Sequence, residues 1–162
     1  MEPDLVLRKQ LRALLDGQEA HMNVDSAVAD FPMDRINDCA PNVPYSFWHL
    51  LEHIRIAQWD ILEFSRNPSH ISPPWPEGYW PPRDARADEA AWKQTIASIR
   101  SDMAALEELA ANQSVKLYEA IPHGEGQTVL REVLLAADHT AYHVGEFAIL
   151  RQVTGTWPPG HE

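Results

Sequence analysis

The stretch that decides the fold is TVLREVLLAADHTAYHVGEFAILRQV, residues 128–153. Val129, Val133, Ala136, Thr140, His143, Phe147 and Leu150 recur in it at alternating spacings of four and three. That is the period of one face of an α-helix. Thr128 stands at the N-cap position and Gly155 at the stop. The helix carries two histidines, His139 and His143, one turn apart on the same face. Side chains at i and i+4 lie about 5–6 Å apart at Cβ, close enough for two imidazoles to grip one ion. Two ligands on one helix leave a site incomplete, so a third must come from a facing element.

The same periodicity predicts three more helices. Residues 4–16, with Leu5, Leu7, Leu11, Leu14 and Leu15 at helical spacing, precede the stop at Gly17. Residues 18–45 are irregular, punctuated by Pro32, Pro41 and Pro44, with a short helical turn at Asp25–Ala29. Residues 46–66 read as a long second helix, capped by Ser46 or by Asn42 and ended by Pro68. Leu50, His53, Ile54, Ala57, Ile61 and Phe64 share its broad face. Leu51, Trp59 and Leu62 lie on other sides, for a dimer surface or for cover by the N-terminal segment. Residues 88–111 make the third helix, with Trp92, Ile96, Ile99, Met103, Leu106 and Leu109 as its stripe.

Between the second and third helices runs NPSHISPPWPEGYWPPRDARA, residues 67–87. Six prolines exclude both helix and regular sheet there. The segment is too long for a simple turn and reads as a crossover strapped to the other helices by Trp75, Tyr79 and Trp80. These aromatics are also candidates for a lid. With no strand alternation and no internal repeat, the expectation is an all-α, single-domain protein over residues 1–162, a four-helix bundle with one long Pro/Trp-rich crossover.

Composition narrows the function. The formal net charge of −11 and the absence of any run of Lys and Arg argue against a protein built to hold phosphate backbones, so no nucleic-acid partner is expected. No run of about 18 apolar residues points to a membrane span. The start, Met1-Glu2-Pro3-Asp4, has no secretion-signal character, and a single cysteine, Cys39, excludes an intrachain disulfide and a Cys-rich zinc site. A cytoplasmic setting follows as the expectation. Eight histidines are the unusual feature.

The second helix contains its own i,i+4 pair, His49 and His53, in FWHLLEHIRIAQWD. At about 100° per residue, His53 falls between Leu50 and Ala57, inside the apolar face, whereas His49 falls about 40° toward Glu52 and Glu63. His53 is therefore the expected third ligand, with His49 at the rim. Asp60, two turns beyond His53, is placed to accept a hydrogen bond from a ligand imidazole. Three imidazoles suit zinc, nickel, iron or copper rather than magnesium or calcium. They also leave a coordination position open, as catalytic metals do. No nucleophile or general base is recognisable; Asp60, Glu146 and His49 are candidates only.

LLEHIRIAQWD at 50–60 together with DHTAYHVGEF at 138–147 resembles the DinB/YfiT-like superfamily of metalloenzymes. AHMNVDSAVADFP at 20–32, the block at 44–68, the crossover and IPHGEGQT at 121–128 extend the likeness over most of the chain. The resemblance implies a four-helix bundle, a zinc or nickel ion held by His53, His139 and His143, and a homodimer. His49 has no counterpart in the motif, and Glu146 stands where many relatives have glutamine. The implied activity is metal-dependent hydrolysis, or transfer of a low-molecular-weight thiol, on a small-molecule substrate. The other class is a non-catalytic metal- or small-molecule-binding stress-response module. His21 reads as a loop histidine unless residues 18–31 fold over the site. His123 stands too far along the chain to reach the ion, the Gly124–Gly126 turn reads as a plain turn, and His70 and His161 carry no assigned role.

Overall fold

The structure is a computed structural model that describes residues 2–17 and 20–160; His161 lies outside them. The protein is all-α, with no strand among the described residues. Five helices follow in order: α1 (Pro3–Asp16), α2 (Val24–Val28), α3 (Phe47–Arg66), α4 (Glu89–Ala111) and α5 (Val129–Thr154). Four are the long helices expected from periodicity. The fifth, α2, is the short turn at 24–28, capped by the Asn23 side chain on the Ser26 amide.

The ends form where local chemistry sets them. Gly17 and Gly155 stop α1 and α5 in the left-handed conformation, at φ of 68° and 63°, where a Cβ is strained. Asp88 caps α4 on the Ala91 amide, and Thr128 caps α5 on the Arg131 amide. Ser46 caps α3 in a capping box whose second member is His49.

The long helices pack α3 against α4 and α5, and α1 against α4 and α5. The core divides into two apolar clusters. One gathers Phe47, Leu50, Leu51 and Ile54 of α3 with Phe31, Trp92, Ile99, Val144, Phe147 and α2. The other gathers Leu11 and Leu15 of α1 with Ile61, Leu62, Leu106, Ala110, Val133 and Ala136. Phe47 near the start of α3 meets Phe147 near the end of α5, so these two helices run antiparallel. On α5, His139 and His143 fall between Ala137 of the second cluster and Val144 of the first.

Leu51 and Leu62 are buried within the chain, Leu51 in the first cluster and Leu62 against the residues of α1, which removes them from any dimer surface. Trp59 packs edge-on against His70. Two buried arginines satisfy backbone carbonyls. Arg8 donates to Ala110 in the last turn of α4 and to Asn112 and Val115 beyond it. Arg151 donates to Ala27, Ala29 and Thr156 and lies over the Trp157 ring.

Residues 67–88 are irregular apart from one turn of 3-10 helix at Glu77–Tyr79. The segment runs back along α3 and is hydrogen-bonded to one stripe of it. Asp60 accepts from His70 and from the Tyr79 hydroxyl, His53 donates to the Tyr79 carbonyl, and His49 donates to the Pro82 carbonyl. Asn37 fixes its end through two hydrogen bonds with Ala87. Of the three aromatics expected to strap it down, Tyr79 and Trp80 do so. Trp75 does not: it is 74% exposed and meets only the edge of Tyr79 among ring contacts.

Candidate metal centre

α3 delivers His53, and α5 delivers His139 and His143 from successive turns, as the helical spacing requires. The three side chains converge. The Nε2 atom of His53 lies 3.1 Å from Nε2 of His143 and 3.1 Å from Nε2 of His139. One ligand atom from each residue falls within 4.8 Å of the other two. Zinc–nitrogen bonds of about 2.0–2.1 Å at tetrahedral angles need nitrogens roughly 3.3 Å apart. The observed separations fit three ligands of one transition-metal ion.

The other ring nitrogens decide the tautomers. Nδ1 of His53 is 2.8 Å from the Tyr79 carbonyl oxygen, which only accepts, so Nδ1 carries the proton. Nδ1 of His143 is 2.7 Å from the Glu146 carboxylate and carries a proton for the same reason. Each neutral ring is left with a lone pair on Nε2. Two Nε2 lone pairs 3.1 Å apart have no hydrogen between them, an arrangement that a cation at their centre stabilises.

Burial keeps His139 and His53 neutral. Burial pushes the His139 pKa down to about 4, and the neighbouring His143 and His53 add to the shift. Burial also lowers His53, against the opposing hydrogen bond to Tyr79. Neutral imidazole is the form that binds metal. Glu146 is pulled two ways: burial raises its pKa, but hydrogen bonds from His143 and Tyr45 hold it below the usual carboxylate range. It is thus an anion next to the ligand set, bonded on its other oxygen by the Tyr45 hydroxyl.

Around the ligands lie residues that periodicity could not assign. The indole of Trp80 stacks on the His53 ring with centroids 4.0 Å apart and planes within 3°. Tyr45 packs against Trp80, with ring centroids 5.0 Å apart. Tyr142, largely exposed, meets His143 edge-on.

Two expectations need correction. His49 is not a rim residue; it is 6% exposed. Its Nδ1 accepts from Ser46 and its Nε2 donates to Pro82, so it caps α3 and ties down the Pro-rich segment. His49 lies toward the polar edge of α3, and the Pro-rich segment covers that edge at Pro82. Asp60 does not touch a ligand imidazole. It holds the Tyr79 hydroxyl at 2.6 Å, and the backbone carbonyl of the same Tyr79 orients His53. His70, which carried no role, is the second partner of Asp60 at 2.7 Å.

The remaining histidines stand apart from the centre. His21 is exposed, beside a crevice between α1, α2, α4 and α5. His123 is bonded to the Phe64 carbonyl past the end of α3's buried face. Comparison with family profiles, with characterised proteins and with solved structures yields no match. Among the described residues, no helix is long and apolar enough to cross a membrane.

Proposed function

We propose that this protein is a metalloenzyme of the DinB/YfiT-like kind: a four-helix bundle, with residues 67–88 as its long crossover, that holds one zinc or nickel ion on His53, His139 and His143. One observation carries the reading. Three Nε2 atoms from two antiparallel helices converge on a point, with the Nδ1 protons of His53 and His143 committed elsewhere. A core histidine that merely packs spends its nitrogens on separate partners, as His49 does.

A divalent transition metal supplies Lewis acidity at such a site. The chain's own residues set up the rest. Tyr79 and Glu146 fix the two tautomers, and Glu146 supplies a negative charge next to His143. Three protein ligands leave room for a small molecule, which supports hydrolysis or transfer of a low-molecular-weight thiol to an electrophile. A homodimer in the cytoplasm completes the proposal. An exposed stripe on α5, Tyr142, Ile149 and Val153 at i, i+7 and i+11, supports the dimer.

The test is a turnover screen on metal-loaded protein: consumption of monochlorobimane with a panel of low-molecular-weight thiols, and hydrolysis of simple esters. Metal-dependent turnover in either arm is the expected result. Stoichiometric metal with no turnover in any arm would make this a non-catalytic binding module.

A further inference from the structure

Beside the histidine cluster lies a groove of about 610 Å³ that the ligand set does not use. Its walls are Tyr45, Trp80 and four prolines, Pro44, Pro76, Pro81 and Pro82. A volume of this size is in the usual range for small-molecule sites, roughly 300–1,000 Å³. Two independent contacts join it to the candidate metal centre. Trp80 lies flat on His53, and the Tyr45 hydroxyl is bonded to Glu146, which in turn holds His143. Both aromatic walls therefore touch the surroundings of a ligand. None of the residues lining the crevice beside His21 makes a hydrogen bond or ring contact of this kind with a ligand histidine.

The chemistry of the walls selects the occupant. His49 at the base has both ring nitrogens engaged, with Ser46 and with the Pro82 carbonyl. The Tyr45 hydroxyl is engaged by Glu146. The groove thus offers flat aromatic and proline surface and few free polar groups. Its charged side chains, Glu77 and Arg83, are both exposed and opposite in sign, so they favour no net charge in the occupant. Aromatic faces prefer offset or edge contact with another ring over contact with an aliphatic body of equal size.

We propose that this groove is the substrate subsite of the metal centre and takes a neutral, flat aromatic group. Its role as a subsite rests on the metal reading above; its preference for a ring does not. The groove places such a group against Trp80 and Tyr45, the two walls that meet His53 and Glu146.

The experiment titrates cobalt-loaded and metal-free protein with 2-naphthol and with its saturated counterpart, decahydro-2-naphthol. Backbone and indole N–H resonances of the metal-free protein are followed together with the visible absorption of the cobalt form. We expect 2-naphthol to shift the Trp80 indole and the amides of residues 45–49 and 77–83, and to perturb the cobalt bands. It should bind about 2- to 10-fold tighter than the saturated alcohol, the preference that ring contacts provide. Trp80→Leu should weaken binding by about tenfold, a loss typical of a truncated aromatic anchor. Should that variant fail to fold, Pro44→Glu, which places a charge in a wall that touches no histidine ligand, should weaken 2-naphthol while cobalt still binds. Equal binding of the two alcohols, or shifts confined to the crevice beside His21, would overturn the groove while leaving the metal reading intact. Failure of cobalt to bind, with the groove still responding, would instead sink the metal reading and with it the subsite role.

Discussion

His53 and Trp80 lie face to face, their ring centroids 4.0 Å apart and their planes 3° from parallel. One residue belongs to α3 and the other to the Pro-rich segment that runs back along it, so the environment of a metal ligand is shared with an indole. An open-shell ion bound to His53 should therefore quench Trp80. Titration with nickel or copper is expected to lower the tryptophan emission of the wild type. Trp80→Phe should lose most of that quench at unchanged metal stoichiometry. Equal quenching in both proteins would show that the ion sits elsewhere.

His49 and His53 test the assignment within one helix. His53→Ala should abolish stoichiometric metal binding. His49→Ala should leave it in place but destabilise the fold by about 1–2 kcal/mol, the range for loss of a helix cap, since His49 completes the capping box at Ser46. Metal content by elemental analysis and unfolding in urea separate the two effects. Metal loss in a folded His49→Ala protein would return His49 to the ligand set.

Glu146 and Asp60 act on the ligands at different distances. Glu146 is bonded directly to His143, so Glu146→Ala should weaken metal binding by about 10–100-fold, the usual cost of removing an outer-shell partner. Asp60 reaches His53 only through Tyr79, and Asp60→Asn should weaken it less. Competition with a chromophoric chelator measures both. The reverse order would mean that the Pro-rich segment, rather than Glu146, controls the site.

The metal-free protein should lose stability in weak acid. His139 titrates at about 4 in the fold against an ordinary 6.5, because burial disfavours its charged form. As pH falls below about 6.5 the unfolded chain takes up this proton first, so stability present above that pH is lost progressively down to about 4. Melting temperatures of the apo protein across this window should fall, and more steeply than those of His139→Asn. Parallel curves would contradict the depressed pKa.

Much of this fold was legible because it rests on periodicity and caps. The stripe from Val129 to Leu150, the stop at Gly155 and the break at Pro68 each act within a few residues of chain. The histidine triad was legible for a related reason: a turn of helix fixes which side chains share a face, and His53 sits on the apolar one. Contacts made by the Pro-rich segment were not. The Tyr79 carbonyl that orients His53 is a backbone group, which no side-chain pattern reveals. The burial of His49 and the pairing of Asp60 with His70 depend on where that segment lies, and prolines dictate only that it is neither helix nor sheet. Tyr45 meets Glu146 across 101 residues of sequence, a contact that only tertiary packing creates.

The most direct test of the metal centre is elemental analysis of protein purified without an affinity tag, wild type beside His139→Ala. The three converging imidazoles predict about one transition-metal ion per chain in the wild type, little in a folded His139→Ala protein, and a melting temperature that a chelator lowers only in the former. Full occupancy in the variant, or a wild type that binds no metal and melts identically with and without chelator, would contradict it.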